Sequence, residues 1–594
     1  MQIKYLDGRR LYRGLLAGGK AVVRNQKYLD KINVFPVADA DTGANLAFTM
    51  QAIMQNSRIG SSVKETIISV ADSALNGAKG NSGIIFAQYL HGLSHELPEK
   101  GVLTVKHFAE SANKAVKHLY NSLMNPVEGT MLTVIREWAE NMVEQSRKTS
   151  DFLHVLTDSL LAARKSLAET PQKLQVLADA GVVDAGACGF VNFLEGVVDY
   201  IHKGSLRETI EIPVADAAVA PVSIHTETLG SYRYCTEAIL TGFHQPLELV
   251  KERIGTFGDS LILAGGQTKL HIHIHTNEPD AVFSMLFSLG TVTNPKVDDM
   301  YWQNRIANHR KYPIGIVTDT ACDLPRNILD EYQIAQIPFG ISFGDRFYLD
   351  KLGISSEAFY SRLKTDKVHP VSSQATPKGV QDVLDIAARC FEKVIVVHIS
   401  EKLSGMYQTT WSLARQKYDG KVSVLNSRQL SVSEGLVTLR IARAIKAGVS
   451  YNAILDSIPQ WISDTLILTD IDTLKYMVKG GRVKPLTGFI ASVLNLKPIV
   501  SLDKDGKAIA YGKSFSRKSN MRKIVGIIAE STKQKRVWEY AIVHADAPDI
   551  AQQYAAELTG IIGKKPAYIM PLSPVVGVHN GIGAVGIGVS YDKL

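Results

Sequence analysis

The period of the apolar residues changes twice along this chain, and a change of period is a change of fold. From Asp7 to about Ile201 apolar residues recur three and four positions apart, as in Val63–Leu75, Val105–Leu123 and Val155–Leu167. That spacing gives a helix one apolar face, and strand-like alternation is absent there. Breaks at NVFPVADADTGAN, NGAKGNSG, NPVEGT and AGVVDAGACG predict a helical bundle with glycine- and aspartate-rich loops gathered at one end. Between Ser231 and about Asn308 the pattern alternates at TEAILTG and KLHIHIHT, with Gly265–Gly266 before the second run, which predicts a small α/β unit. From Tyr312 onward the runs PIGIVTDT, KVIVVHIS, KVSVLNS and DTLILTD each lead into turn residues and a helical stretch. That rhythm predicts α/β structure with a largely parallel sheet and ligand sites in the loops after the strands.

A chain of 594 residues is too long for one hydrophobic core. The charge-poor stretch 206–230 reads as a linker. The expected division is therefore a helical domain over 1–205, the linker, an α/β middle domain over 231–308 and a larger α/β domain over 312–594. With 45% hydrophobic and 21% charged residues, the composition excludes wholesale disorder, and no apolar run is long enough to span a membrane. The formal net charge of +8 is spread thinly, and its densest stretches, Lys513–Lys523 and Lys533–Arg536, are too short and broken for a nucleic-acid arm. Nucleic acid is not an expected partner. Cys188, Cys235, Cys322 and Cys390 lie far apart and form no CxxC pair, and the start, MQIKYLDGRR, has no apolar core of a signal peptide. A reducing cytoplasm is the expected location, with at most transient membrane association.

In the first break, Asp39 and Asp41 stand two residues apart in a loop that ends at Thr42-Gly43. Magnesium takes hard oxygen ligands, commonly one or two carboxylates plus nucleotide phosphates. From the pair alone, an aspartate N-cap beside a solvated charge is the more ordinary reading. Gly77-Ala-Lys-Gly80-Asn81-Ser82-Gly83 can offer backbone N–H groups and a helix N-terminus to phosphate, although it is neither a P-loop nor a GxGxxG. Glu128-Gly-Thr130-Met-Leu-Thr133 and Gly181-Val-Val-Asp184-Ala-Gly186 are similar small-residue loops. In this order the four loops resemble the nucleotide-binding L-subunit of dihydroxyacetone kinase, and still more the amino-terminal domain of bacterial fatty-acid kinases. The resemblance covers about residues 1–205 and implies an eight-helix barrel capped by ATP and two magnesium ions. It implies Asp39 and Asp41 as metal ligands, Asn33 and Asn45 as auxiliary groups of the same loop, Asn81, Ser82 and Thr130 near phosphates, and Asp184 near the nucleotide. Ala40 stands where the family commonly has glycine.

Lys269-Leu-His271-Ile-His273-Ile-His275-Thr puts three histidines on one face of a strand, since side chains alternate with period two. Two of them can grip a tetrahedral zinc, with Cys235 of RYCTE as a thiolate, or the face can be an ordinary polar one. RYCTE followed by HIHTNEP resembles the middle domain of the same kinases, which implies zinc on Cys235, His273 and His275 in a structural role, with His271 a neighbour.

In the last domain, SSQATP, SEKLSG, KGGR and GVHNG place hydroxyls, glycines and cations after apolar runs. Hydroxyls and helix N-terminal N–H groups can hold a carboxylate, although each serine alone also reads as a helix cap. Together with VTDTACDLP, LSGMYQTT and DTLKYMVKGGR, these segments resemble the DegV-like fatty-acid-binding proteins. The resemblance implies a two-lobed α/β domain with an apolar tunnel, a lipid carboxylate held by Ser372 and Ser404, and Arg482 and His579 at the mouth. Ser372 departs from the family's frequent threonine and Phe515 from its frequent arginine.

The fold class expected is thus multidomain: an all-α helical barrel, a small α/β middle domain and a two-lobed α/β DegV-like domain. The resemblances imply transfer of phosphate from ATP to a fatty acid, giving an acyl phosphate, with Asp39, Asp41, Arg482 and His579 as the catalytic set. A small-polyol kinase and a non-catalytic lipid-binding or sensing protein are the alternatives. Fatty acid, ATP, a second copy in a homodimer and an acyl-phosphate-using acyltransferase at the membrane are the expected partners.

Overall fold

The computed structural model describes residues 2–35, 41–203, 231–481 and 497–592. Asp39, Ala40, Arg482 and the linker 206–230 lie outside the described residues. The chain divides into two compact units, Met1–Asn308 and His309–Leu594.

In the first unit, eight helices of fifteen residues or more among the described residues form the helical part: Gly8–Arg24, Thr42–Asn56, Val63–Gly77, Gly80–Glu96, Val105–Ser122, Met131–Ser146, Phe152–Ala168 and Ala185–Lys203. Local chemistry starts several of them. Asp7 accepts the Arg10 N–H at 2.8 Å, and Asp151 accepts the Leu153 N–H at 3.2 Å. Ser62 accepts the Glu65 N–H while Glu65 reaches back to the Ser61 N–H, so two of the orphan donors of one helix start are satisfied. The apolar faces meet in a core where Phe86 packs against Phe193 at 5.0 Å between centroids and Trp138 against Phe190 at 5.6 Å, both nearly edge to face. One pairing within the helical span is not helical. Leu6–Asp7 and Val102–Leu103 form a two-residue antiparallel pair, too short for alternation to reveal.

The middle part of this unit is a four-stranded antiparallel sheet in the order Gly258–Gly266, Lys269–Thr276, Tyr234–Thr241, Thr291–Asp299. Its face packs on the helices: Ile262 and Ala264 join the helical core, Gly265 N–H donates to Gln88 Oε1 at 2.7 Å, and Met124 N–H donates to Leu261 O at 3.2 Å.

The second unit contains a parallel sheet in the order Val422–Asn426, Lys393–His398, Ile314–Asp319, Ala335–Ile337. Beside it are a small antiparallel sheet (Arg346–Leu349, Gly340–Phe343, Val371–Ser373) and a six-stranded sheet. The six-stranded sheet corrects the expectation of a largely parallel arrangement. Its order is Ala508–Ser514, Lys497–Leu502, Thr465–Asp470, Val585–Asp592, Arg536–His544, Ile569–Pro571, and only the last pair is parallel. The apolar runs specify strands, but a local run does not encode the direction of its partner, and the terminal strand inserts antiparallel between two others. The helix Val432–Lys446 contacts strands of both larger sheets and buries most of its length.

Two consequences can be measured. Helices Gly8–Arg24 and Ala185–Lys203 touch at Gly196, where a Cβ would stand 2.6 Å from Ala17 O and 2.9 Å from Gly18 Cα. Gly196→Val is therefore expected to destabilise the first unit by about 2 kcal/mol, the usual scale of overpacking, in urea denaturation; an unchanged midpoint would remove this contact from the core. In the second unit burial pushes the Asp350 carboxyl up to about 7, against the pull of Lys351. The unfolded chain releases that proton near pH 4, so between about pH 4 and 7 the native state binds more protons and loses stability as pH rises. Asp350→Asn is expected to gain stability relative to the parent across that window, and a difference independent of pH would exclude Asp350 as its source.

Candidate functional site

The strand register builds the first site. Cys235 pairs with His275 and Glu237 with His273 across Tyr234–Thr241 and Lys269–Thr276. Directly opposed residues share a face, so all four point the same way. Cys235 Sγ lies 3.6 Å from His273 Nδ1, and His273 Nε2 lies 3.2 Å from His275 Nε2. The three ligand atoms fall within 4.8 Å of one another and all three residues are buried, a donor set and spacing that fit a zinc ion. His271 on the same strand turns to Leu75 O at 2.8 Å instead.

This cluster lines one polar cavity with Asn33, Asp41, Asn45, Asn81 and Ser82 of the helical part. The cavity admits the centre of a water molecule over about 70 Å³. Gly80 takes φ +58°, and its Cα faces the Asn45 amide, with a Cβ position only 2.3 Å from Asn45 Nδ2. A side chain there would close the approach of the two loops. Behind them Gly186 faces Ser82 Oγ, Met131 and Asp184, so the N-terminal ends of three helices converge, each presenting the positive end that anions favour. The Asn81 Oδ1 is buried with no hydrogen-bond partner among the described residues, which leaves an acceptor open at this cavity.

Asp184 and Thr130 do not line this cavity. Asp184 accepts the Ala187 N–H at 2.7 Å, and burial raises its carboxyl to about 6 against the backbone donors of Ala187 and Met131. Thr130 Oγ1 donates to Val127 O at 2.7 Å. Each is engaged by a backbone group of its own segment.

Sequence reasoning missed Glu237, Lys296 and Asp298, which also line the cavity. Glu237 accepts from the Gly80 N–H at 3.1 Å and lies 3.1 Å from His273 Nδ1. Burial alone would raise its carboxyl, but Lys296 and His273 outweigh that and hold it well below the carboxylate range. Lys296 pairs with Asp298 and stands 3.7 Å from Glu237. Burial, then Glu237, push the Cys235 thiol well up in the absence of metal charge. The period-two spacing of Cys235-Thr-Glu237 carried a signal for Glu237.

The second site is an apolar cavity in the second unit, open to water centres over about 170 Å³, with Phe339, Ile399, Leu403, Ile467 and Val500 in its walls. Ser372, Ser404 and His579 line it too. Ser372 Oγ lies 2.9 Å from His579 Nε2. Ser404 Oγ accepts the Met406 N–H at 3.3 Å at the start of helix Met406–Lys417. A Cβ at Gly405 would meet Gln374 Oε1 at 2.5 Å and one at Gly480 would meet the His579 ring at 2.3 Å, so the loops after several strands adjoin here. No helix among the described residues is long and apolar enough to cross a membrane.

Comparison with known proteins adds three family matches. Residues 36–199 match the DAK2 domain, residues 231–306 the FakA-like middle domain of fatty acid kinases, and residues 313–592 the DegV family, described as uncharacterised. An uncharacterized protein of Staphylococcus saprophyticus is 31% identical over 333 residues, 54% of this chain and 59% of its own. Protein YloV of Bacillus subtilis is 30% identical over 346 residues, 54% of this chain and 62% of its own. The chain thus spans about six tenths of the length of these curated relatives. Among solved structures, a DegV family protein of Thermus thermophilus described by its fatty acid binding aligns with 24% identity and a TM-score of 0.44, over 47% of this chain and 100% of that one. DegV of Bacillus subtilis, described as a fatty acid binding protein, aligns with 23% identity and a TM-score of 0.44, over 48% of this chain and 100% of that one. Matches to the DAK2 domain, the FakA-like middle domain and the DegV family therefore follow one another along this chain, an order that matches a fused fatty-acid kinase architecture.

Proposed function

We propose that the chain transfers the terminal phosphoryl group of ATP to the carboxylate of a fatty acid bound in its DegV domain, releasing ADP and an acyl phosphate. The observation that carries this reading is the presence of two cavities of contrasting character in one chain: a polar one lined by Asp41, Asn45, Asn81 and Ser82, and an apolar one lined by Ser372, Ser404 and His579.

Asp41, with Asp39 of the same loop and the amides of Asn33 and Asn45, would hold magnesium. Magnesium, when bound, neutralises charge on the phosphoryl group in transfer. The chain's own groups do the rest. The start of helix Gly80–Glu96 turns its positive end, with the Asn81 amide and Ser82 hydroxyl, toward the phosphates. Cys235, His273 and His275 would hold zinc, which together with Glu237 fixes the sheet against that helix start. In the second domain the Ser372 and Ser404 hydroxyls donate to the acid group, and the His579 ring keeps Ser372 oriented. A fatty acid is already an anion at neutral pH, so the attacking oxygen needs no general base. Arg482 and His579 complete the proposed catalytic set by offsetting charge as two anions approach.

ADP release that depends on added long-chain fatty acid, with hydroxylamine trapping of the acyl phosphate, tests the reading directly. Asp41→Ala is expected to lower that turnover at least a hundredfold while bound lipid stays in place, as native mass spectrometry would show; full turnover in this variant would exclude the metal assignment. Replacing Ser372 and Ser404 together by alanine is expected to weaken acyl-chain retention about tenfold or more, the scale of lost hydrogen bonds to a charged group, with ATP affinity unchanged. Retention at the parental level would place the carboxylate elsewhere.

A further inference from the structure

Three histidines of the helical part meet outside both cavities. Helix Gly80–Glu96 carries His91 and His95 one turn apart, and helix Val105–Ser122 carries His118. The two helices come close where Gly92 faces His118: a Cβ at Gly92 would stand 2.9 Å from His118 Cβ. That approach sets the His118 ring on the His95 ring, stacked at 6.0 Å between centroids with planes 19° apart. His91 and His95 are edge to face at 4.6 Å, and their Nε2 atoms are 3.1 Å apart. Zinc–nitrogen bonds of about 2.0–2.1 Å at a tetrahedral angle put two ligand nitrogens about 3.3 Å apart, so the pair already has the span of a chelate.

The surroundings keep that span open. The turn at Gly265–Gly266 of the middle sheet passes over both rings, held by the Gly265 N–H on Gln88 Oε1. A Cβ at Gly266 would stand 3.2 Å from His91 Nε2 and 3.8 Å from His95 Nε2. Any side chain there would intrude on the space both nitrogens face. Beside them His118 Nε2 lies 2.7 Å from Glu96 Oε1, with both side chains partly exposed.

We propose that His91, His95 and His118 form a second site for a divalent transition metal of the zinc, nickel and copper class, separate from the Cys235, His273 and His275 cluster. His91 and His95 ligate through Nε2, His118 turns from Glu96 to become the third imidazole, and water completes the shell. Three imidazoles and no thiolate select borderline metals over magnesium or calcium. The ion ties together the two helices beneath the glycine turn, so it stabilises the folded first unit by mass action.

The test uses the full chain, stripped of metal and then equilibrated with Zn²⁺ or Co²⁺. Elemental analysis after dialysis is expected to find one more equivalent in the parent than in the His91→Ala/His95→Ala variant. Cobalt at the remaining site keeps its thiolate-to-metal absorption in that variant, because Cys235 is untouched. His118→Ala is expected to weaken the extra equivalent at least tenfold. Should the double variant fail to fold by circular dichroism, His95→Gln, at an exposed position, is measured instead and is expected to lose the same equivalent. Equal stoichiometry in parent and variant overturns the proposal, and so does an extra equivalent that appears only at millimolar metal, which marks an adventitious histidine pair. The count depends on neither ATP turnover nor lipid, so its outcome is independent of the kinase reading.

Discussion

The first unit turns on a buried carboxylate. Glu237 is almost wholly removed from water, a position that costs a charged group several kcal/mol unless partners compensate. Its partners come from different elements: the Gly80 N–H from the start of a helix, His273 from the neighbouring strand and Lys296 from the strand on the other side. Removing any one leaves charge stranded, so the three elements are held in one arrangement. The same side chain is thus a brace between the histidine cluster and the loop of Gly80, Asn81 and Ser82.

The second unit solves the converse problem. Its cavity is walled by apolar residues, yet polar groups line it as well. Ser372 and His579 pair across 207 positions of sequence, while Ser404 sits two residues before the helix Met406–Lys417. Behind the wall, Asp319 accepts from His398 at 2.9 Å, from the Ile399 N–H at 3.1 Å and from the Ala321 N–H at 3.0 Å. Ile399 and Ala321 both line the cavity. A buried acid therefore clamps two strand-end loops together, as Glu237 does in the first unit, and the apolar surface rests on a charged frame.

What the sequence made legible follows the range of the interaction. The helices could be read because their caps and apolar stripes are local, and the cysteine–histidine cluster because period two within two strands fixes the shared face. Lys296 and Asp298 could not be read, since the strand Thr291–Asp299 is polar and irregular, with a register shift opposite Glu237–Ile239, and nothing local names its partner. The direction of the six-stranded sheet was misread for the same reason. Asp184 shows a subtler limit. Its motif placed it near the nucleotide, whereas in the structure its carboxylate accepts the Ala187 N–H and does not line the polar cavity, a difference that a local motif does not encode. Asp39 and Arg482 fall outside the described residues, so the roles proposed for them rest on motif alone.

The charge balance of the two cavities bears on how the proposed reaction would be ordered. The polar cavity is lined by the carboxylates of Asp41, Glu237 and Asp298 and, among the described residues, by one ammonium, that of Lys296. Lys296 is already engaged by Asp298 and Glu237. A triphosphate entering such a cavity alone would meet net negative charge at short range, where a low local dielectric amplifies repulsion. Divalent cations reverse that balance, so nucleotide affinity in this chain should be a function of metal before it is a function of any single phosphate contact. In the proposed reaction the neutral hydroxyls of Ser372 and Ser404, which line the apolar cavity, would orient a carboxylate without neutralising it. An anion oriented in this way keeps its nucleophilicity, and in the proposed transfer the compensating positive charge would come from metal on the nucleotide's side together with Arg482 and His579.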